Sequence, residues 1–185
     1  GFEPVLLPVG ADGLLDPAVA EAALDERTAL LAVMLVNNEI GVIQPVEALA
    51  KIAHEAGALL VCDAVQGAGR AAMPASADVI ALSAHKIYGP KGIGALWLRG
   101  GLDIPPLIHG GGQEGGLRSG TLSPALCAGF GAAARLMTEQ READAAHVAA
   151  LHARARALFV GWVLNGDAPA RYPGNLNLRR DGLDG

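Results

Sequence analysis

The sequence has few cysteines and no basic cluster, and each shortage excludes a class of protein. Cys62 and Cys127 are the only two cysteines in 185 residues, and neither belongs to a CxxC or histidine-rich pattern. A disulfide framework is therefore excluded, no zinc or other metal signature is present, and a reducing, cytoplasmic compartment is expected. The net charge is −5 without a basic block, so a nucleic-acid partner is not expected.

Long hydrophobic runs are missing as well. The longest apolar run, from Ala29 to Val36, is far shorter than the ~20 residues of a membrane-spanning helix, so no membrane partner is expected. Hydrophobic residues nevertheless make up 51% of the chain and charged residues 18%, which predicts a soluble protein with a large apolar interior. The chain starts at Gly1 without Met or a targeting segment, and we expect it to be incomplete at both ends.

Apolar segments alternate with amphipathic ones over the first 100 residues. This rhythm predicts an α/β fold with a mostly parallel sheet flanked by helices. Short helices are expected from Pro17 to Leu24, with Asp16 as N-cap, and from Pro45 towards Gly57. The first predicted strand is apolar throughout, which is typical of burial on both faces. Strands are expected at 30–36, 58–62, 79–82 and 93–98.

The character of the sequence changes after Arg99. A Gly- and Pro-rich stretch over 100–120 precedes a long segment rich in Ala, Leu, Arg and Glu, which predicts one broken helix or two. Short extended pieces are expected at 163–165 and 176–178. We therefore divide the chain into a large α/β domain over 1–122 and a second part over 123–185. The second part is predicted to hold connecting helices and the start of a smaller α+β domain.

Polar residues follow three predicted strands at the points where the strands end. They are the segments 37–39, 63–66 and 83–86. In a parallel α/β sheet the ligand crevice lies beyond the carboxyl ends of the strands, so we expect the three segments to face one crevice. Lys86 is notable among them, because only three of the 14 basic residues are lysines and arginine is the usual surface cation of this chain.

Lys86 and Asp63 together indicate pyridoxal phosphate chemistry. A lysine amine can form a Schiff base with a carbonyl, which arginine cannot. A carboxylate on a neighbouring strand end can keep a pyridine nitrogen protonated. Each residue alone has an ordinary interpretation. The lysine could be a partly buried surface cation at the end of a strand, and the carboxylate could accept hydrogen bonds from the backbone of a loop. Asn38 and Gln66 could likewise satisfy loop backbone groups.

Two other segments could contact an anion. Ser83 and His85 lie just before Lys86 and could donate hydrogen bonds to a phosphate, although a lone histidine is more often a structural group. Residues 110–115 match G-x-G-x-x-G, but they neither follow a strand nor open an apolar helix, so we reject a dinucleotide site. A flexible anion-binding loop over 110–121 fits this stretch better.

Four motifs in matching order and spacing resemble the cysteine desulfurases, class V of the aminotransferase superfamily. They are VNNEIG at 36–41, DAVQ at 63–66, SAHKIYGPKGIG at 83–94 and GGGQEGGLRSGT at 110–121, with YPGNLNL at 172–178. The resemblance implies the central part of a fold-type I pyridoxal phosphate enzyme. It also implies removal of sulfur from L-cysteine, which gives L-alanine and an enzyme persulfide for iron–sulfur cluster assembly or another sulfur-transfer pathway.

The resemblance also implies a role for each residue near the ring of the cofactor. Lys86 would carry the pyridoxal phosphate and act as the base that moves the substrate Cα proton. Asp63 would pair with the pyridine nitrogen, Gln66 would hydrogen-bond the ring hydroxyl, and Asn38 would lie beside the same edge.

The phosphate of the cofactor is expected to bind to a second set of residues. The resemblance implies that Ser83 and His85 hold it, and that Thr121 reaches the phosphate of a neighbouring subunit. A homodimer with composite sites follows from that role of Thr121, and a sulfur-acceptor or scaffold protein would be a further partner.

The chain departs from the family in its cysteines. The persulfide-forming cysteine of the family lies well beyond the motif that matches 175–178, and this chain stops before it. Cys62 sits in an apolar strand and Cys127 in an Ala-rich helix without a basic neighbour, so neither is a credible nucleophile. We expect the chain alone to be inactive and to bind the cofactor weakly at most. The alternatives are a selenocysteine lyase, an aminotransferase of the same class, or a non-catalytic remnant that binds pyridoxal phosphate.

Overall fold

A computed structural model describes residues 1–183 of the chain. The helices are α1 (Pro17–Ala23), α2 (Val46–Glu55) and α3 (Pro124–Leu158), with short 3-10 turns at Ala84–Ile87 and Glu114–Gly116. The strands are β1 (Leu30–Met34), β2 (Leu59–Asp63), β3 (Val79–Ser83), β4 (Gly94–Leu98), β5 (Val163–Leu164) and β6 (Leu178–Arg179).

Strands β1 to β4 form one sheet in the order β1-β2-β3-β4. The first three strands are parallel, and β4 runs antiparallel to β3. The expected α/β fold with a mostly parallel sheet is therefore confirmed. The direction of β4 follows from its short connection, because the segment from Ala84 to Ile93 is shorter than the dozen or more residues that a parallel crossover requires.

Strand β1 is less buried than its sequence predicts. Leu31 is buried, whereas Leu30 is 52% exposed and Ala32 is also exposed. The prediction of a strand buried on both faces is wrong for this chain, because β1 lies at the edge of the sheet and α2 packs on β1 and β2 from one side.

Helix α1 begins where the sequence predicts, and α2 begins one residue later than predicted. Asp16 caps α1 by accepting a hydrogen bond from the backbone N–H of Ala18 at 2.9 Å. Pro45 is the N-cap of α2 and not its first helical residue. The apolar stripe of α2 packs into the main core beside Leu60 and Cys62, and it consists of Val46, Leu49, Ala50 and Ala53.

The segment from Pro124 onward forms one helix, so the expected break in it is wrong. α3 is continuous over 35 residues and begins after Ser123, whose hydroxyl accepts a hydrogen bond from the N–H of Leu126 at 3.5 Å. No proline lies inside the helix to interrupt its hydrogen bonds. Although α3 is long, none of the helices in residues 1–183 is apolar enough over a sufficient length to cross a membrane.

Strands β5 and β6 form a separate antiparallel pair, with Leu164 opposite Leu178. Both lie within two residues of their predicted positions. The segment before β6 returns to the segment that follows β1, where Arg171 forms an isolated bridge with Val42. The part of the chain just before β6 therefore contacts the loop that follows β1.

Candidate cofactor site

The carboxyl ends of the parallel strands bring several predicted site residues to one edge of the sheet. Asp63 is the last residue of β2, and in the strand register it lies beside Met34 of β1 and Ala81 of β3. Ser83 is the last residue of β3, and Asn38 lies in the loop after β1. The fold thus places these three polar positions at the carboxyl ends of the parallel strands, as the α/β topology predicts.

Asp63 has one carboxylate oxygen engaged and one free. Its Oδ1 accepts a hydrogen bond from the backbone N–H of Val65 at 2.9 Å, which holds the start of the following turn. Within residues 1–183 its Oδ2 has no hydrogen-bond partner. The free oxygen can therefore accept a hydrogen bond from a donor group of a ligand.

Lys86 lies in the 3-10 turn that follows β3 and is half-buried. The turn ends at Tyr88, whose φ of 65° is left-handed, and the N–H of Gly89 returns to the carbonyl of Ala84 at 2.9 Å. In the described part of the chain the Lys86 amine forms no ion pair with a carboxylate. A lysine in a fixed turn with an unpaired amine is suited to covalent chemistry.

Ser83 and His85 form a hydrogen-bonded pair beside Lys86. The Ser83 Oγ lies 2.9 Å from His85 Nδ1. With the hydroxyl donating to Nδ1, the exposed imidazole carries its proton on Nε2, and this N–H can donate to an anion. The pair is therefore able to bind a phosphate oxygen next to Lys86.

Gln66 is held by a residue that the sequence analysis missed. Arg70 Nη1 lies 3.4 Å from both the carbonyl and the side-chain Oε1 of Gln66, and its Nη2 donates to the carbonyl of Lys86 at 2.7 Å. The guanidinium also lies over the ring of Tyr172, 5.5 Å from its centroid. The spacing of four residues between Gln66 and Arg70 was the one sequence signal for this contact.

The loop that contains Asn38 is held by the segment 171–177, here called the anchor segment. Four consecutive carbonyl groups of the loop, those of residues 38–41, accept hydrogen bonds from it. The Asn38 side chain itself donates to Glu39 Oε1 at 2.7 Å. The donors are Asn175 Nδ2 to residues 38 and 39, Asn177 Nδ2 to residue 39, Arg171 Nη2 to residue 40 and the Tyr172 N–H to residue 41.

Thr121 is the predicted phosphate residue of the loop before α3. It is exposed, and the loop before it folds on itself: the N–H of Gly120 donates to Gln113 Oε1 at 2.9 Å, and the N–H of Gly112 donates to Ser119 Oγ at 3.3 Å. Within the described residues no hydrogen bond joins Thr121 to Lys86, Ser83 or His85.

The two cysteines differ in their surroundings. Cys62 is fully buried in β2, and burial together with the nearby Asp63 charge raises the pKa of its thiol to about 12. Cys127 is half-buried on α3. Among residues 1–183, no group of three or more His, Cys, Asp or Glu side chains is arranged to hold a metal ion.

The chemistry of these groups fits pyridoxal phosphate. An amine, a carboxylate with a free oxygen, a serine–histidine pair and an amide match the aldehyde, the pyridine nitrogen, the phosphate and the ring hydroxyl of that cofactor. Which of these side chains meets which part of the cofactor stays a prediction.

The fold and these residues define an α/β enzyme core of the pyridoxal phosphate type. Residues 1–160 match the family described as aminotransferase class-V, and the chain belongs to that family. The expectation of a class-V fold with pyridoxal phosphate as cofactor is therefore confirmed.

Individual relatives are similar over the whole chain. It is 42% identical to "Cysteine desulfurase IscS" of Rickettsia rickettsii over 198 residues, which cover 100% of this chain and 47% of the relative. It is 43% identical to "Probable cysteine desulfurase, mitochondrial" of Schizosaccharomyces pombe over 196 residues, covering 100% of this chain and 38% of that one. The solved structure of DndA from Streptomyces lividans superposes with a TM-score of 0.90 at 34% identity, covering 100% of this chain and 55% of DndA. The chain thus spans about half the length, or less, of these relatives.

Proposed function

We propose that this chain is the cofactor-binding part of a cysteine desulfurase that removes sulfur from L-cysteine and leaves L-alanine. The observation that carries the proposal is the placement of Lys86, Asp63 and the Ser83–His85 pair at the ends of adjacent strands. The names of relatives at 42% and 43% identity support a desulfurase over another class-V enzyme.

In this proposal the chain's own residues bind and orient the cofactor. Lys86 attaches to it, Asp63 Oδ2 pairs with the pyridine nitrogen, and the Ser83–His85 pair binds the phosphate. Gln66 donates to the ring hydroxyl, and Asn38 lies beside the same edge. When bound, pyridoxal phosphate supplies an electron sink for negative charge at the substrate Cα. The Lys86 amine then accepts and returns the Cα proton.

The sulfur leaves the substrate through attack by an enzyme thiolate. An S–S bond forms as the substrate C–S bond breaks, the electron pair of that bond stays on the substrate carbon, and a proton completes L-alanine. The product on the enzyme is a persulfide. Cys62 cannot serve as this thiol, because it is buried and its pKa is raised to about 12.

We also propose a homodimer with composite sites, in which Thr121 contributes to the phosphate site of the neighbouring subunit. Its exposure, and the lack of hydrogen bonds to Lys86 or His85 in the described chain, support this role. A domain boundary between residues 122 and 123 accords with the cap of α3 at Ser123. A cytoplasmic location and sulfur delivery to iron–sulfur cluster assembly through an acceptor or scaffold protein complete the proposal.

Covalent trapping tests the cofactor site, because the three lysines of the chain compete for the aldehyde of pyridoxal phosphate. The chain is incubated with saturating pyridoxal phosphate, reduced with borohydride and mapped by mass spectrometry at Lys51, Lys86 and Lys91. The side chain of Lys51 is 78% exposed and Lys91 is exposed, whereas Lys86 is half-buried. Exposure alone therefore favours the other two lysines, and preferential labelling of Lys86 supports the proposed site.

The matched controls are Lys86→Arg and Lys91→Arg. We expect the first to remove the preferred adduct and the second to leave the adduct at residue 86 unchanged. Labelling that follows exposure, with Lys51 and Lys91 ahead of Lys86, contradicts the proposed site.

A further inference from the structure

We propose that Arg70 is a positioning residue, whose guanidinium fixes the Lys86 turn and orients the Gln66 amide. This inference rests on the proposed function. The guanidinium contacts three parts of the molecule: the Lys86 carbonyl at 2.7 Å, the Gln66 carbonyl and Oε1 at 3.4 Å, and the Tyr172 ring at 5.5 Å. Two of these three contacts are to predicted cofactor-site residues.

The contact with Lys86 stabilises the end of a turn. Carbonyl groups in the last turn of a helix lack partners within the helix, and a cation there is favourable. The 3-10 turn over Ala84–Ile87 ends at Tyr88 in the left-handed conformation, and the next N–H, from Gly89, returns to Ala84. The Lys86 carbonyl accepts its hydrogen bond from Arg70 Nη2 instead.

The contact with Gln66 selects the orientation of an amide. Arg70 has donors only, so the Gln66 atom that faces it is the acceptor Oε1. The NH₂ group of Gln66 then points away from Arg70, and within residues 1–183 it donates no hydrogen bond. The ring hydroxyl oxygen of the cofactor can accept a hydrogen bond from such a donor.

The contact with Tyr172 connects Arg70 to the anchor segment. A guanidinium over an aromatic face is attracted by the ring, and Tyr172 is itself held by its N–H, which donates to the Gly41 carbonyl at 2.9 Å. In residues 1–183 no carboxylate forms an ion pair with Arg70. The charge is therefore compensated by carbonyl dipoles and the ring.

Packing alone does not fix the Arg70 side chain. Two cavities, of about 190 Å³ and about 420 Å³, are both lined by Arg70, Tyr88 and Tyr172. Because Arg70 borders both cavities, packing does not enclose it completely, and its directed contacts determine where it lies. Removal of those contacts should therefore release the Lys86 turn without a steric clash.

The first measurement needs no cofactor. Hydrogen–deuterium exchange of a peptide covering residues 84–89 is compared with that of a peptide covering α2 in the chain and in Arg70→Met. We expect exchange at 84–89 to become about tenfold faster, since a hydrogen bond from a charged donor is lost, with α2 unchanged. Equal exchange at 84–89 in both proteins overturns the inference.

The second measurement is the ratio of borohydride-trapped pyridoxal phosphate at Lys86 to that at Lys51. We expect Arg70→Met to lower the ratio about tenfold and Arg70→Lys, which keeps one donor but not the planar fork, to restore part of it. Tyr172→Phe keeps the aromatic face and should retain the ratio, whereas Tyr172→Leu should lower it. A ratio unchanged in Arg70→Met and Tyr172→Leu contradicts a positioning role.

The two measurements separate the inference from the proposed function. If the unmodified chain shows no preference for Lys86, the proposed function fails, and the exchange experiment alone decides whether Arg70 holds the turn. If the preference is present and falls only in the Arg70 and Tyr172→Leu variants while unfolding in urea is unchanged, the role is positioning and not general stability.

Discussion

Gly41 and Asn175 are packed so closely that a Cβ on Gly41 would lie 2.6 Å from the Cβ of Asn175. Gly41 has a φ of +72°, and the Asn175 amide donates to the carbonyls of the two residues at 38 and 39. The loop after β1 and the anchor segment are therefore fitted to each other, and the absence of a side chain at Gly41 allows it.

The substitution Gly41→Ala tests this fit. The left-handed backbone costs alanine about 1–2 kcal/mol, and the collision with Asn175 adds about 1–3 kcal/mol, since the carbon has no space. Gly57→Ala is the matched control, because Gly57 has a φ of +78° and nothing within 4 Å of its added carbon. Urea unfolding should show a larger loss in Gly41→Ala than in Gly57→Ala. Equal losses would mean that the Asn175 contact is unimportant.

Much of this architecture is predictable because the sheet is built from short apolar strands. The start of β1 at Leu30 and the boundaries of β3 within one residue follow from the apolar pattern alone. The direction of β4 does not follow from that pattern, which is the same for either direction. The length of the connection from Ala84 to Ile93 carries that information.

The candidate site is predictable only in part, because some of its residues are placed by the strands and others by contacts between distant segments. Asp63 and Ser83 are the last residues of their strands and Lys86 follows β3 directly, so the topology places all three at the carboxyl ends of the strands. Arg70 and Tyr172 are far apart in sequence and share no periodic pattern, and their contact depends on how residues 171–177 return to the sheet. Tertiary contacts of this kind have no local sequence signal.

Asp78 is expected to make stability depend on pH. Its side chain is fully buried, and its Oδ2 accepts from the Leu60 N–H at 2.6 Å and lies 2.8 Å from His54 Nε2. Burial opposes the charged form, but these hydrogen bonds, with the nearby charges of His54 and Arg99, hold the pKa of Asp78 below its usual value. Arg99 Nε lies 2.9 Å from Oδ1 as an ion pair and not a directed hydrogen bond.

Because the folded pKa is lowered, the stability from Asp78 is present above the unfolded pKa of ~3.9 and is lost as pH falls through the folded value. Asp78→Asn should lower the free energy of unfolding at pH 7 by about 1.5–3 kcal/mol and reduce the further loss as the pH falls below about 4. Asp103→Asn, at an exposed position, is the control. An acid-induced loss as steep in Asp78→Asn as in the unmodified chain would refute this role.

Gly94 is expected to be intolerant of a side chain although its φ is unstrained. A Cβ there would lie 2.7 Å from the backbone carbonyl oxygen of Leu82, and Gly94 pairs with Ser83 at the end of β3. Backbone cannot rotate away as a side chain can, so Gly94→Ala should push β4 from β3 and cost about 1–3 kcal/mol in thermal or urea unfolding. Gly100→Ala, with nothing within 4 Å, should change stability by less than about 0.5 kcal/mol. Similar losses at both positions would argue against the contact.

The thiols of Cys62 and Cys127 should differ in reactivity by orders of magnitude. Burial and the adjacent Asp63 charge raise the pKa of Cys62 to about 12, so at pH 8 its thiolate fraction is about a thousandfold below that of an ordinary thiol of pKa ~8.5–9. Titration with a chromogenic disulfide should therefore detect one thiol in the native chain and two in urea. Cys127→Ala should remove the native signal and Cys62→Ala should leave it.

A fast native reaction in Cys127→Ala would show that Cys62 is accessible and ionisable. That result would also reopen Cys62 as a sulfur acceptor, because an acceptor must meet substrate sulfur as a thiolate. Full burial denies Cys62 access to substrate, and the raised pKa denies it the charge. Either barrier alone would suffice, so the acceptor thiol of the proposed reaction is not Cys62.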